Sequence, residues 1–461
     1  MLPRLLKGAL HREARAVSRQ APPQPVGRFR GLLFLATAQW PGPNLARDDG
    51  IGRGEVSQDR VPVGGEPAAG AGHWLNGERI CVYSSMIVVI VGITLLVWIG
   101  LSLPLLVDPR GKPIGADFMS YWSAARLALD GRAEAAFDGT AITLVQHQAV
   151  PFLPNIWFPW HYPPIFLLVV APLGLMPYPA ALASFVLGTA ALWAALVRRV
   201  LTDRRAWIVA AATPAGLINL IDGQNAFLTA SLAGFALLWL DRRPVAAGIL
   251  IGLLAVKPHL AVLFPLALLA EGRWRSIAAA AVTVLALTAA SLAAFGWGPW
   301  AAFLDHLPIT QAMADQGAVP WGTMPSPYVF ALSLGLPVAV ARALQAVVAL
   351  FAAGCVWRVW RNPAAAFEAK AATLVAGSLL VSPYLFYYDL TWAALAVAWL
   401  ALLGRTSGFY RGEREILLFA WLAPALMQPV HALTALQVGF PAVLLLLLLA
   451  VRRAATAPRL G

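Results

Sequence analysis

The sequence predicts an all-α protein that crosses a membrane many times, and three observations carry that prediction. Of its 461 residues, 59% are hydrophobic and 12% charged, against about 25% charged in soluble globular chains. The mean hydropathy is +0.70. Uncharged apolar runs recur from residue 80 almost to the C-terminus, and about 20 apolar residues of helix suffice to span about 30 Å of hydrocarbon. A helix also satisfies its backbone polar groups within itself, as lipid demands of a spanning segment. A soluble enzyme fits this composition poorly. Lys and Arg exceed Asp and Glu by 34 to 22, yet the basic residues flank apolar runs, where they orient a chain in a bilayer rather than bind nucleic acid. The two cysteines, Cys81 and Cys355, provide neither a disulfide framework nor a zinc site.

From the N-terminus, residues 1–79 carry 11 Lys or Arg and 7 Asp or Glu among scattered Gly, Pro and Ala, which predicts a disordered basic tail. The apolar run at 31–38 is too short to read as a signal peptide. Met86 opens the first long apolar run, so the natural start is expected near it and the tail is read as a start-site artefact. Residues 80–453 then form the membrane-embedded domain and 454–461 a cytoplasmic tail. The first span is 80–107, free of charge. Further apolar blocks lie at 163–197, 206–221, 225–240, 244–256, 258–270, 277–297, 337–357, 371–387, 390–404, 416–432 and 436–451. Together they predict about twelve membrane segments, within a range of roughly 10 to 13.

Charge fixes the parity. Arg198, Arg199, Arg204, Arg205, Arg242, Arg243, Arg273, Arg275, Arg358, Arg361, Lys370, Arg405, Arg411 and Arg414 fall between alternate segments. The positive-inside rule places those loops and both termini in the cytoplasm of an inner-membrane protein. The outside then receives the loop 108–162, the Asp222 turn, the Lys257 turn, the loop 298–336 and the turn from Tyr384 to Asp389. Block 244–256 has 13 residues, about 20 Å of helix at 1.5 Å per residue. Such a segment cannot cross alone, and paired short helices are tolerated where they line a polar cavity or are buried in protein. Lys257, Asp222 and Asp389 are expected to face one water-filled cavity.

In the first outer loop, Gly115-Ala116-Asp117-Phe118-Met119-Ser120-Tyr121-Trp122 opens a helix with apolar residues at 118, 121, 122, 125 and 129. This predicts an amphipathic helix lying at the interface. Asp117 and Tyr121, four residues apart, share one face of it. A carboxylate there suits a general base acting on a lipid-borne substrate, or simply caps the helix. Trp157-Phe158-Pro159-Trp160-His161-Tyr162-Pro163-Pro164 closes the loop, as an interfacial aromatic belt or with His161 and Tyr162 against a substrate. Asp222-Gly223-Gln224-Asn225 makes a tight turn, whose amides at membrane depth call for a polar ligand such as a sugar or phosphate. Lys257-Pro258-His259 interrupts an uncharged stretch, and a Lys at that depth costs about 2.5–3.5 kcal/mol. It either neutralises a buried phosphate or pairs with Asp222 or Asp389. Gly248 and Gly252 form a helix-packing G-x-x-x-G. Asp305, His306 and Asp315 sit in a stretch without Lys or Arg, expected to be a mobile acceptor-facing loop. Tyr388 belongs to the last aromatic-acidic turn. The histidines are too dispersed for a metal site, and no nucleotide-binding fingerprint is present.

At these residues the chain resembles glycosyltransferase family 87, the polyprenol-phosphate-mannose-dependent mannosyltransferases of the GT-C superfamily, over about residues 86–450. The likeness rests on Asp117 with Tyr121, on His161-Tyr162-Pro163-Pro164, on Gly223-Gln224-Asn225, on Ala247-Gly248 leading to Lys257-Pro258, and on Ser382-Pro383 with Tyr387-Tyr388. It implies a GT-C-like bundle that takes a sugar, mannose in the best-known cases, from a polyprenyl-phosphate donor. It implies transfer with inversion to an extracytoplasmic lipid or glycan acceptor in the cell envelope. Asp117 would be the general base, Lys257 with His259 would stabilise the leaving phosphate, and Tyr121, His161, Tyr162, Gln224, Asn225 and Tyr388 would contact substrate. No cofactor is implied, and a divalent cation held chiefly by the phosphate stays open. The final turn reads Tyr387-Tyr388-Asp389 where the family more often has a His-Tyr pair. The competing reading is a secondary transporter or flippase of a polar or lipid-linked substrate, against which stands the absence of two matching halves.

Overall fold

The computed structural model describes residues 73–108, 111–154 and 158–455, all within the unit that spans 63–461. The expected tail 1–79 falls outside the described residues up to residue 72, as do positions 456–461 of the expected C-terminal tail. Among the described residues the fold is all-helical, with a single β-bridge between Val107 and Pro113 that closes the base of the first loop.

Helix α1 (Gly77–Ser102) starts within the expected tail because Asn76 caps it, its side chain accepting the Arg79 N–H at 3.0 Å. The first loop then folds into α2 (Phe118–Leu129), a 3₁₀ turn (Ala133–Phe137) and α3 (Gly139–Ala149), whose cap Asp138 accepts the Ala141 N–H. Block 163–197 is broken. Pro164 opens α4 (Pro164–Val170), a 3₁₀ turn (Ala171–Leu175) follows, and Pro177 sets off α5 (Tyr178–Val200). Block 206–221 is likewise two helices, α6 (Arg204–Ala211) and α7 (Pro214–Asp222), divided by Pro214 at the first turn of the second. Proline suits that position because its missing N–H is unneeded there and it excludes helix just before it.

Next come α8 (Ala226–Trp239), α9 (Pro244–Leu253), 3₁₀ turns at Leu254–Val256 and Pro258–Leu260, α10 (Leu263–Ala270) and α11 (Trp274–Phe295). The expected mobile loop at 298–336 is instead mostly helical, with α12 (Gly298–Asp315) and α13 (Pro327–Ser333). Pro299 fits the first turn of α12 and only Pro308 interrupts its interior. The chain ends with α14 (Val338–Trp360), α15 (Phe367–Val381), a 3₁₀ turn (Tyr387–Leu390), α16 (Thr391–Ser407), α17 (Glu413–Thr434) and α18 (Gly439–Ala455).

Helix α15 forms the axis of the bundle, buried on all sides from Ala371 to Leu380 and packed against α14, α16 and α18. An all-round apolar helix belongs at such a centre. At the periphery the opposite holds: Leu96 on α1 and Leu285 on α11 are 73% and 69% exposed. Aliphatic faces of this kind are stable against lipid and not against water. Among the described residues six helices are long and apolar enough to cross a bilayer: α1, α5, α11, α14, α16 with its preceding turn, and α17. The expected count of about twelve is therefore not reached by length, and four apolar stretches, at 164–175, 226–239, 244–256 and 258–270, are shorter. The protein is a multi-pass membrane protein. Gly248 and Gly252 do pack helices: a Cβ on either would meet α11 at 2.4 Å (Ser276 carbonyl) or 2.5 Å (Thr283).

Helix α2 is not amphipathic in the expected sense. Phe118, Met119, Ser120, Tyr121, Ser123, Ala124, Ala125, Leu127 and Ala128 are all buried, under α3, α4 and the turns at 133–137 and 171–175. The apolar spacing registers only the large residues, whereas Ala and Ser on the other faces let neighbours close in. Together with Trp160, Phe166 and Phe185 this helix makes a second core, distinct from the one around α15.

Candidate active site

Two glycines bring the first loop and the Asp222 turn together. Gly115 (φ +66°) and Gly223 (φ +68°) adopt left-handed backbone, which costs any other residue about 1–2 kcal/mol. A Cβ on Gly223 would lie 2.7 Å from the Phe118 Cβ and 3.3 Å from the Gly115 Cα. Without side chains in the way, the Asp117 N–H donates to the Asp222 carbonyl at 3.0 Å.

Asp117 then faces Gln224, whose Nε2 donates to its Oδ2 at 2.8 Å. It makes no side-chain cap to α2, and its own backbone is already helical. The capping alternative is therefore not what the structure has. The Gln224 amide is oriented by its surroundings: Oε1 accepts from the Tyr121 hydroxyl, from the Tyr162 hydroxyl at 3.2 Å and from the Asn225 N–H at 3.2 Å. Three donors on the oxygen leave the NH₂ for the carboxylate. The Tyr121 and Tyr162 hydroxyls also lie 2.8 Å apart, so either phenol can turn its one proton to the other hydroxyl in place of Gln224. Tyr121 sits in an aromatic box, edge-on to Trp160, Tyr162, Phe166 and Phe185 at 5.1–6.2 Å, a favoured geometry for aromatic pairs.

Burial pushes the Asp117 carboxyl up to about 6. The Asp222 carboxylate adds to the rise, while the Gln224 hydrogen bond, Lys112 and Lys257 oppose it. Asp117 nevertheless keeps a partly exposed surface, so a substrate can reach it. Burial likewise raises the Tyr121 phenol well above its usual range, keeping it a hydrogen-bond donor.

Lys257 stands where Pro258 interrupts the helices. Its Nζ lies 2.6 Å from Asp389 Oδ1, 3.5 Å from Asn225 Oδ1 and 5.0 Å from the ring centre of Tyr388. The ion-pair reading of Lys257 is thus the one observed, with Asp389 rather than Asp222. Tyr388 serves as a cation-π floor beneath it. Asp222 is clasped separately by Lys112 at 2.7 Å and by the Tyr387 hydroxyl at 3.1 Å, so the three charges expected to share one cavity form two ion pairs. Buried and without a protein partner are Asn225 Nδ2, a donor, and the ring nitrogen His259 Nε2, groups of the kind a polar ligand satisfies.

His161 is drawn elsewhere. Its Nδ1 lies 3.0 Å from Thr310 Oγ1 and 3.3 Å from His306 Nε2, both on α12. Burial, then the neighbouring His306, lowers it to about 4. Asp315, the other acidic residue of that region singled out in the sequence, pairs with Arg342 and accepts from Tyr328. Sequence reasoning missed Lys112, which stands in no motif, and met Tyr387 only as part of the Tyr387-Tyr388 pair, without a role. Only the contact between turns 110 and 165 residues apart gives them a role. A cavity of about 310 Å³ lined by Trp122, Arg126, Asp130 and Gln148 lies farther along α2 and does not include Asp117. Among the described residues no three His, Cys, Asp or Glu side chains are placed to hold a metal ion.

A helical membrane bundle with a carboxylate set against amides and phenols defines a class rather than a reaction. Residues 160–383 match the model of glycosyltransferase family 87, so that stretch is similar to the sequences of this family. The match includes His161, Tyr162, Gln224, Asn225, Lys257 and His259; Asp117 and Tyr121 precede it and Tyr388 follows it. No curated protein and no solved structure matches the chain.

Proposed function

We propose that this protein is a membrane glycosyltransferase that moves a sugar, mannose in the first instance, from a polyprenyl-phosphate donor to a lipid or glycan acceptor outside the inner membrane, with Asp117 as general base. The observation that carries the reading is the Asp117 carboxylate itself, released from capping and held by Gln224. As the acceptor hydroxyl attacks the anomeric carbon, Asp117 takes its proton. The bond from that carbon to the phosphate oxygen breaks on the opposite face, and the configuration inverts because no covalent sugar intermediate intervenes. Polyprenyl phosphate leaves with one more negative charge than the donor had. Lys257, together with the unpartnered nitrogens of Asn225 and His259, suits that developing charge, because preorganised donors act strongly where water is excluded. Asp389 already offsets Lys257, so the lysine acts as half of a neutral pair and the amide and imidazole carry more of the recognition. Tyr121 and Tyr162 fix Gln224, and Tyr388 supports Lys257. His161, drawn to α12, belongs to the acceptor side.

The experiment is transfer from radiolabelled polyprenyl-phosphate mannose by purified protein in lipid nanodiscs, with Asp117→Asn at matched folding. Removal of the base lowers turnover by about 10²–10⁴-fold with little change in donor binding. Wild-type protein that neither binds nor consumes any polyprenyl-phosphate sugar would overturn the proposal and turn attention to transport assays in proteoliposomes.

A further inference from the structure

The mechanism leaves one buried carboxylate unused. Asp222 touches Asp117 through the backbone, its carbonyl accepting the Asp117 N–H at 3.0 Å. Its own side chain is 5% exposed and is bound on both oxygens, by Lys112 Nζ at 2.7 Å and by the Tyr387 hydroxyl at 3.1 Å. A turn needs none of this. Gly223 ends α7 with its own N–H on the Asn219 carbonyl, and the Asn219 side chain caps α8 through the Ala226 N–H at 2.8 Å. The Asp222 side chain is therefore free of capping duty, yet a lysine and a phenol hold it beside the carboxylate that accepts the proton. Lys112, 46% exposed along its side chain, ties the same point to solvent.

We infer that Asp222, clasped by Lys112 and Tyr387, is a positioning residue that fixes Asp117 through the backbone and sets how readily that carboxylate takes a proton, an inference that rests on Asp117 being the base. The charges that Asp117 meets come from separate elements. Asp222 on α7 raises its proton affinity; Lys112 of the first loop and Lys257 of the 254–260 turns lower it. Lys257 is matched by Asp389 from the turn before α16, which leaves Asp222 and its half-exposed lysine as the adjustable pair. The other polar neighbours include the Gln224 amide and the Tyr121, Tyr162, Tyr178, Tyr387 and Tyr388 phenols, none of them carrying a charge.

The signs follow from the charges. Asp222→Asn keeps the backbone carbonyl and the side-chain shape but removes a negative neighbour, so Asp117 ionises at lower pH. Lys112→Met leaves Asp222 unopposed, so Asp117 ionises at higher pH. Both variants of the full chain in nanodiscs are to be followed in two ways: by the pH profile of transfer, and by an isotope-edited infrared titration of the Asp117 carboxyl, assigned by subtraction of Asp117→Asn. The acidic limb and the infrared midpoint move together, by roughly one pH unit down in Asp222→Asn and up in Lys112→Met, and Lys112→Arg restores the wild-type value. Rates depressed equally at every pH, with the midpoint unmoved in both variants, would show a structural clasp only and overturn the inference. Lys112 is half exposed, so its variant remains informative should the buried Asp222→Asn fail to fold. Midpoints that move as stated in a protein without transfer would uphold the tuning while the proposed function falls. Transfer with an unmoved acidic limb does the reverse.

Discussion

A single amide decides what Asp117 can do. Because Gln224 spends its oxygen on two phenols and a backbone N–H, it can only donate to the carboxylate, and donation favours the ionised base. Burial works the other way and wins, raising the group to about 6. Transfer is expected to rise with pH through about 6 and level off above it, because the base acts only when deprotonated; below it the rate falls tenfold per unit. The native state holds this proton more tightly than the unfolded chain does. Its contribution to stability is thus largest at low pH and declines as pH rises through the carboxylate range to about 6. Asp117→Asn is accordingly about 10²–10⁴-fold slower yet melts higher than wild type at pH 8, a pairing that thermal scans and assays together check. The Lys257–Asp389 pair gives a second test. Lys257→Met alone strands a buried carboxylate and costs about 3–5 kcal/mol; adding Asp389→Leu recovers most of the lost melting temperature. Activity that returns with the fold would make the pair purely structural, whereas the proposed charge stabilisation leaves the double variant folded and slow. Most of these side chains stand in motifs and were legible one by one. Their partners were not, since nothing in a linear sequence says that Lys257 meets Asp389 instead of Asp222.

Elements position that chemistry through their breaks. Pro258 stops one helix at Lys257, and Gly223 ends another so that Asp222 and Gln224 face the first loop while Asn225 faces Lys257. Gly223→Ala would place a methyl 2.7 Å from the Phe118 Cβ and force a left-handed backbone on alanine. It is expected to separate the two turns and cut turnover at least tenfold, with a melting temperature lower by a few degrees, in line with a strain of about 1–2 kcal/mol. Unchanged kinetics in a folded Gly223→Ala protein would mean that the close approach of the turns is irrelevant to catalysis. Proline and glycine made these boundaries readable in advance. Two elements were misread for opposite reasons. The α12 segment lacks the periodicity that marks an exposed helix, and the burial of α2 depends on small residues that carry no apolar signal.

At the scale of the molecule, the distribution of exposed aliphatic surface is what a bilayer requires. Leu96→Arg or Leu285→Arg puts a cation on a peripheral face, which in lipid costs about 2.5–3.5 kcal/mol near the centre of a span. Both variants should insert poorly and melt lower in nanodiscs, although neither touches the site. A neutral effect on insertion would show that these faces do not meet lipid.

By itself the sequence determined that the chain is helical and membrane-bound, because composition and run length set the solvent a segment can tolerate. It also determined which side chains are costly enough at depth to need a purpose. Tertiary structure alone decided how those costs are met: Asp117 against Gln224, Asp222 against Lys112, Lys257 against Asp389. The physical reason is range. Hydropathy is a local sum along the chain, whereas an ion pair or a hydrogen bond acts only within a few ångströms, and those distances exist only after helices far apart in sequence have packed.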